Sequence, residues 1–196
     1  MSWWAWVMVV VALVVFAAGA SWWIVRQRRQ TAELRERFGP EYDHAVKQAG
    51  SKSKGEAELL SRKERRERLE IVPLPPEHRE RYAAEWEEIQ GQFVDAPVAA
   101  VARADALVTT VMAERGYPMD AFEQRAAVIS VDHPEIVNNF RQAHQIYRKS
   151  DDGKASTEEL RRALQNYRSL FDDLLDQPQR EPQLEGTTRS SDPARG

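Results

Sequence analysis

The sequence contains no cysteine. This absence excludes disulfides, thiolate nucleophiles and cysteine-ligated zinc. A basic surplus is missing too, because 28 Lys and Arg residues stand against 31 Asp and Glu residues. Proteins that bind nucleic acid usually carry such a surplus, so the composition argues against a nucleic-acid partner. No long stretch alternates apolar and polar residues with period two, and we therefore predict no β-strands.

Charge is absent from one long segment, which runs from Trp3 to Val25 and has 23 residues. As a helix this segment would be about 34 Å long, and the hydrocarbon core of a bilayer is about 30 Å thick. Tryptophan prefers the two membrane interfaces. Five of the six tryptophans lie at the two ends of the segment: Trp3, Trp4, Trp6, Trp22 and Trp23. We predict a transmembrane anchor at residues 1–25, with the lipid bilayer as its partner.

The charges that flank this segment predict its orientation. Only Met1 and Ser2 precede it, and neither carries a basic side chain. Basic residues favour the cytoplasmic side of a membrane helix. We therefore expect a single-pass protein of the cell membrane, with the amino terminus outside and the rest of the chain in the cytoplasm. The arginines that follow the segment are Arg26, Arg28, Arg29, Arg35 and Arg37.

A cleaved signal peptide is the alternative interpretation of the same segment. Ala18, Gly19 and Ala20 resemble a small-residue cleavage site, and cleavage there would give a secreted protein. However, signal peptides begin with basic residues, and here none precedes the apolar run. Cleavage would also leave residues 21–25 as an exposed apolar stub. The anchor is therefore the preferred prediction.

Residues 26–72 are predicted to form charged juxtamembrane helices and a spacer. Residues 27–38 should continue the first helix as far as Gly39-Pro40, a pair typical of a helix end followed by a helix start. A short helix is expected over residues 41–49 and a flexible loop over residues 50–55. Residues 56–70 are helical in pattern but mostly charged, which indicates an exposed spacer or a loosely docked helix.

Residues 73–176 are predicted to form a bundle of about five helices, which makes the fold class all-α. A stiff proline linker, Pro73-Leu74-Pro75-Pro76, should precede the bundle. Apolar residues recur after it at helical spacing, and each stripe predicts the buried face of one helix. The stripes are Tyr82, Trp86, Ile89 and Phe93; Val101, Ala104, Val108, Val111 and Met112; Phe122, Ala126 and Ile129; Ile136, Phe140, Ala143 and Tyr147; and Leu160, Leu164, Tyr167, Phe171 and Leu174.

Three pairs predict where helices of this bundle begin. In a capping box, an N-cap side chain and an acidic residue three positions later bond to each other's backbone N–H groups. The capping pairs are Asp120 with Glu123, Asp132 with Glu135, and Ser156 with Glu159.

Residues 177–196 contain three prolines and few apolar side chains, so we expect a disordered tail.

Two histidines are the main candidates for chemistry. His133 and His144 are 11 residues apart, so one helix would carry both on the same face. Asp132 lies beside His133, but we interpret it as an N-cap, and a clear third metal ligand is lacking. Arg115 and Tyr117, which flank Gly116, could join either histidine in an enzyme or ligand site. No catalytic, cofactor-binding or metal-binding residue is assigned from the sequence.

Several segments resemble an uncharacterised bacterial family whose members are described only as secreted or membrane proteins. The resemblance covers most of residues 34–175, and it implies no activity, cofactor or site residue. The segments that carry it are Leu34-Arg35-Glu36-Arg37-Phe38-Gly39-Pro40-Glu41-Tyr42, Ala104-Asp105-Ala106-Leu107-Val108, Arg115-Gly116-Tyr117-Pro118, Phe122-Glu123-Gln124-Arg125-Ala126, Val131-Asp132-His133-Pro134, Arg141-Gln142-Ala143-His144 and Ser156-Thr157-Glu158-Glu159-Leu160.

Two classes of function are compatible with the sequence. The preferred one is a membrane-anchored helical adaptor that binds another protein. A tether raises the effective concentration of such a module toward other membrane proteins. The alternative is an enzyme, or a domain that binds a small ligand or a metal, and that uses His133 or His144.

Overall fold

The structure is a computed structural model that describes residues 3–176, and over this range it forms eight α-helices and no strand. The prediction of an all-α fold is confirmed. The predicted disordered tail, residues 177–196, lies outside the described residues. The helices are α1 (Trp3–Phe38), α2 (Pro40–Ala49), α3 (Lys52–Glu67), α4 (Pro76–Gln92), α5 (Pro97–Glu114), α6 (Phe122–Asp132), α7 (Val137–Asp151) and α8 (Thr157–Asp176).

The first helix, α1, runs without a break from the apolar segment to Phe38, which confirms that residues 27–38 continue it. It ends at Gly39, where the backbone has a positive φ of 45° that glycine adopts more readily than other residues. Pro40 is the first residue of α2. Among residues 3–176, no helix combines the length and apolar character needed to cross a membrane. The transmembrane anchor therefore stays a prediction.

Helix α3 differs from the exposed spacer that its charge predicted. Leu59 is fully buried beneath it, and the Arg62 side chain is only 6% exposed. Arg62 pairs with Glu41 of α2. The spacing of residues within α3 gives no sign of this partner, because Glu41 belongs to another helix. Of the two predicted alternatives, the docked helix is therefore observed and the exposed spacer is wrong: a small apolar cluster and ion pairs to residues distant in the sequence hold α3 in place. The cluster comprises Leu34, Phe38, Tyr42, Ala45, Leu59 and Val131.

The predicted loop over residues 50–55 shrinks to a two-residue turn. Gly50, at φ 72°, ends α2, and the Ser51 hydroxyl accepts a hydrogen bond from the Lys54 N–H at 3.4 Å. Ser51 thus caps α3 earlier than expected. Gly55 is needed at the crossing, because a Cβ there would lie 2.7 Å from the Cα of Val46. Of the two glycines in the predicted loop, Gly50 therefore ends α2, and Gly55 lets α2 and α3 approach closely.

Helices α4 to α8 form the predicted five-helix bundle and enclose the larger apolar core. Every predicted stripe contributes fully buried side chains to it, and only Phe93, Phe122, Ile136 and Tyr147 are partly exposed. Trp86 is 2% exposed and stacks on Phe171, with ring centroids 4.7 Å apart. The helical spacing of apolar residues therefore predicted this core correctly.

One of the three predicted capping boxes is confirmed. The Ser156 hydroxyl accepts a hydrogen bond from the Glu159 N–H at 3.3 Å, and Glu159 accepts one from the Ser156 N–H at 2.8 Å. Asp120 does not cap α6, whose N-cap residue is Ala121. Asp132 does not cap α7, because it still belongs to α6 and binds Arg66 instead. At Asp132, a long-range ion pair thus takes the place of the predicted N-cap.

The proline linker before α4 is extended, as predicted, but it packs against the bundle. Leu74 is buried in the larger core, and the Val72 N–H donates to the Arg115 carbonyl at 2.9 Å. At Gly116, which has φ 92°, a Cβ would lie 2.4 Å from the Glu70 carbonyl oxygen. Only glycine allows the linker to lie across this turn. Residues 68–75 are therefore part of the folded body.

Helix α6 joins the two parts of the molecule. It contacts α3 and the end of α1 on one side and α7 on the other. Its Val131 belongs to the small apolar cluster, while Ala126 and Ile129 belong to the larger core. The functional candidates at the end of α6 therefore lie where the two cores meet.

Candidate functional site

His133 forms the C-cap of α6, where its N–H donates to the Ile129 carbonyl at 2.8 Å. Its side chain is 2% exposed and pairs through Nδ1 with the carboxylate of Asp173 on α8. Its Nε2 lies 3.3 Å from the Tyr117 hydroxyl. If Asp132 were the N-cap that the sequence predicts, His133 would lie in the first turn of α7. It instead closes α6 and connects that helix to α8.

Tyr117 follows the tight turn at Gly116 and is also buried. Its hydroxyl donates to Asp132 Oδ2 at 3.1 Å. Burial raises the pKa of Tyr117 well above its usual value, and the nearby Asp132 carboxylate raises it further. The phenol therefore stays protonated over the physiological pH range and acts here as a hydrogen-bond donor.

Two arginines complete this group. Arg66, at the end of α3, donates to Asp132 Oδ2 at 2.5 Å. Arg115, at the end of α5, donates to the Leu174 carbonyl at 2.7 Å and to the Val72 carbonyl at 3.2 Å. Burial lowers the pKa of Arg115, but an arginine keeps its charge in proteins. We call Arg66, Arg115, Tyr117, Asp132, His133 and Asp173 the His133 cluster.

The His133 cluster connects four elements that are distant in the sequence: the ends of α3, α5, α6 and α8. It brings together Arg115, Tyr117 and His133, three of the residues that the enzyme hypothesis named. Their hydrogen bonds run within the protein, and His133 and Tyr117 are almost completely covered. The observed geometry fits a role in joining the elements.

His144 lies in a different place, on α7. Its ring stacks on Phe122 at 3.8 Å, and its Nδ1 lies 3.4 Å from Asp105, which also accepts a hydrogen bond from the Tyr167 hydroxyl at 2.6 Å. Burial alone would raise the pKa of Asp105, but the hydrogen bonds from His144 and Tyr167 outweigh it and hold that pKa below its usual value. The two histidines therefore do not share one site.

A second buried group lies across the same joint and was missed by the sequence analysis. The side chain of Glu41 is 2% exposed and accepts hydrogen bonds from Arg62 at 2.7 Å and from Arg141 at 2.7 and 2.8 Å. Arg62 also donates to Ser130 of α6 at 3.3 Å. We call these four residues the Glu41 cluster. It connects α2 and α3 to α6 and α7.

The Glu41 carboxylate is ionised in this environment. Burial would raise its pKa, but hydrogen bonds and charge from Arg141 and Arg62 outweigh burial, so the pKa falls below its usual value. Such bidentate arginine–carboxylate contacts also fix geometry. Arg62 and Arg141 stand 21 and 100 residues from Glu41, so no local spacing could have indicated the group. The one signal was that the resembling segments contain Glu41 and Arg141.

The comparisons with known proteins give no further indication of the role of these groups. No family model, curated protein or solved structure matches the chain. Within residues 3–176, no three His, Asp or Glu side chains are grouped so that they could hold a metal ion. The resemblance to an uncharacterised bacterial family stays a prediction.

Proposed function

We propose that this protein is a membrane-anchored adaptor, in which residues 3–25 hold a rigid helical body at the cytoplasmic face of the cell membrane and the body binds another protein. The observation that carries the proposal is the continuity of α1. The same helix contains the uncharged segment and, at its far end, the buried residues Leu34 and Phe38. Anchor and body would therefore move as one unit.

The sequence supports the anchor through the 23 uncharged residues and their tryptophan-rich ends. The described side chains there also present apolar surface. Trp4, Leu13, Phe16 and Trp22 are each more than 60% exposed. Such side chains would be stabilised by contact with lipid, since many exposed apolar side chains along one uncharged segment are unfavourable in water.

The cleft between α4 and α8 is the surface we propose for the partner. The partly exposed Phe93 and the buried Trp86 line its apolar part, and Arg161 and Arg168 also line it. Arg168 crosses the cleft and donates to Gln90 at 2.6 Å. The acidic partners of the two arginines within the protein, Glu158 and Asp172, are exposed, and exposed ion pairs are weak. A segment of a partner with apolar and acidic side chains would match this chemistry.

Membrane fractionation combined with crosslinking tests the proposal. We expect the full chain to resist extraction from membranes by alkaline carbonate, and a photo-crosslinker placed at Gln165 to capture a discrete protein. Arg161→Glu with Arg168→Glu should abolish that crosslink. The control Arg148→Glu with Lys154→Glu changes the net charge equally, at the far end of α7, and should preserve it. A chain that is extracted by carbonate would contradict the anchor. Identical crosslinks in both variants would contradict the cleft.

The second candidate, an enzyme or ligand-binding domain, is favoured by one observation. Arg115, Tyr117 and His133 do meet in one buried cluster, as that hypothesis required. His133→Gln separates the candidates. If the folded variant loses its cellular function while the crosslink persists, the adaptor hypothesis is wrong. If function depends only on the cleft arginines, the enzyme hypothesis is wrong.

A further inference from the structure

The beginning of α3 lies beside the end of the apolar segment. Trp23, Arg26 and Gln27 of α1 line one shallow groove together with Ser53 and Ala57 of α3. The Thr31 hydroxyl also donates to Glu56 at 2.8 Å, which fixes α3 along α1. The chain reverses at Gly39 and again at Gly50, so the turn before α3 returns to the level of Trp23.

This return places two sets of basic side chains at the same end of the body. The first set follows the apolar segment directly: Arg26, Arg28 and Arg29. The second flanks Ser53: Lys52 and Lys54. All five residues are exposed, and residues 26–30 and 50–55 contain no acid. The nearest carboxylate on α3, that of Glu56, accepts hydrogen bonds from Thr31 and Tyr42 and also pairs with Lys52 at 3.7 Å, but its side chain is only 12% exposed.

The charge of this end contrasts with that of the whole chain. The formal net charge is -3, yet the exposed charged side chains of this surface are all basic, because Glu56 is buried. Its position relative to the membrane follows from helix geometry. Arg29 lies four residues beyond Val25, or about 6 Å along the axis. The headgroup layer of one leaflet is of similar thickness, since the whole bilayer exceeds its hydrocarbon core by about 10 to 15 Å. Trp22 and Trp23 would mark the interface.

We infer that Arg26, Arg28, Arg29, Lys52 and Lys54 together form a binding surface for acidic phospholipid headgroups. The partner is chosen by charge complementarity and by continuity with the exposed tryptophans at the end of the apolar segment. The inference rests on the proposed membrane anchor. It adds α3, an element with no apolar segment of its own, to the membrane contact, and so it gives the sharp turn at Gly50 and Ser51 a role.

Quenching of tryptophan fluorescence by brominated lipids tests this surface. The full chain is reconstituted in vesicles of neutral phosphatidylcholine that contain a minor fraction of anionic phosphatidylglycerol, and bromine is placed on one lipid at a time. Five of the six tryptophans lie in residues 3–23, so the signal reports lipid around α1. At equal mole fraction, the anionic lipid should quench more strongly than the neutral lipid.

Lys52→Gln with Lys54→Gln should reduce the preference for the anionic lipid by up to about fivefold per lysine, because each basic residue near an anionic surface contributes about 1 kcal/mol. Arg148→Gln with Lys154→Gln, which removes the same charge from the α7–α8 end, should keep the parent's preference. The inference is overturned if the parent shows no anionic preference, or if the lysine variant keeps it. If neither brominated lipid quenches, the anchor itself is wrong, and the proposed function fails with it.

Discussion

The two apolar clusters of this protein are stabilised by different interactions. The core of α4 to α8 is built from stacked apolar stripes, such as the face of α5 that buries Val101, Val108 and Val111. The small cluster around α1, α2 and α3 has few apolar side chains and depends on buried charges, above all Glu41 with its two arginines. Apolar burial tolerates change of shape more readily than a buried ion pair tolerates loss of one partner.

This difference explains how α3, a highly charged segment, becomes part of the folded body. Helix α3 has too few apolar residues to dock by itself. Its Arg62 and Arg66 reach Glu41 and Asp132, which belong to α2 and α6. Because Arg62 and Glu41 are buried together and Asp132 is only 17% exposed, the docked position is specific. The first three helices should therefore be more sensitive to single charge changes than the bundle.

The largest expected effect of a single substitution is in the bundle. Trp86→Ala should destabilise the chain by about 3–5 kcal/mol, because it removes a buried indole that stacks on Phe171. Denaturant titration of the detergent-solubilised full chain, followed by far-ultraviolet circular dichroism, measures it. Val94→Ala, at a side chain that is 83% exposed, is the control and should change little. A Trp86 variant as stable as the parent would show that this core is assigned wrongly.

A single charge change should have nearly the same effect in the first three helices. Glu41→Gln leaves Arg62 and Arg141 buried without their carboxylate, at a cost of about 3 kcal/mol. Glu58→Gln removes an exposed carboxylate that also pairs with Arg62, and it should cost less than about 1 kcal/mol. Both are measured by the same titration. Equal costs for the two variants would remove the distinction between buried and exposed charge.

The effect of Glu41 should depend on pH in one direction. Its folded-state pKa lies below the ordinary value of 4.5, so its stabilising contribution is complete above pH 4.5 and is lost as the pH falls through the folded-state value. The difference in unfolding free energy between the parent and Glu41→Gln should therefore shrink in acid. A difference that stays constant from neutral pH to well below 4.5 would contradict the ion-pair assignment.

Two glycine substitutions, one at the crossing of α2 and α3 and one in α4, should change stability in opposite directions. Gly55→Ala should destabilise by about 1–3 kcal/mol, because its Cβ would lie 2.7 Å from the backbone of Val46 and would force α2 and α3 apart. Gly91→Ala lies in α4 and meets nothing within 4 Å, so it should stabilise by roughly 0.5–1 kcal/mol through helix propensity. The sign of each change in denaturation midpoint is the test. A stabilising Gly55→Ala would mean that the crossing is looser than described.

The smallest effect is expected at the beginning of α8. Ser156→Ala removes the confirmed capping box and should cost about 1 kcal/mol. Thr157→Ala, one residue later and also exposed, is the matched control and should stay within about 0.5 kcal/mol of the parent. If the two variants have the same midpoint, the hydrogen bonds between Ser156 and Glu159 add nothing to stability.

Helices and their buried faces, which follow from locally repeating residues, were predicted from the sequence. Contacts between residues far apart in the sequence were not. Helical spacing placed Trp86, Val108 and Tyr167 in the core, and Gly39-Pro40 marked the end of α1. For α3 the sequence left an exposed spacer and a loosely docked helix both open. It missed the ion pair that fixes the docked position, because the buried Arg62 looks like any other charge until Glu41 is placed beside it. Likewise, Asp132 had a plausible local role as an N-cap, and a contact with Arg66, 66 residues away, overrode it.

The same reason limited the candidate site. Spacing suggested that His133 and His144 share one helix face, but α6 ends at His133, and the two rings therefore lie on different elements. Arg115 and Tyr117, which flank Gly116, were predicted to join a histidine, and both lie in the His133 cluster. The contribution of Asp173 on α8 required the fold.

We propose that residues 3–25 anchor the chain and that α1 carries the body into the cytoplasm, and carboxyl-terminal reporter fusions are the most direct test of this topology. A fluorescent protein fused after residue 196 should be bright, and alkaline phosphatase at the same position should be inactive, with both fusions in the membrane fraction. Active phosphatase with a dark fluorescent fusion, or a mature chain that begins at Ser21, would contradict the claim.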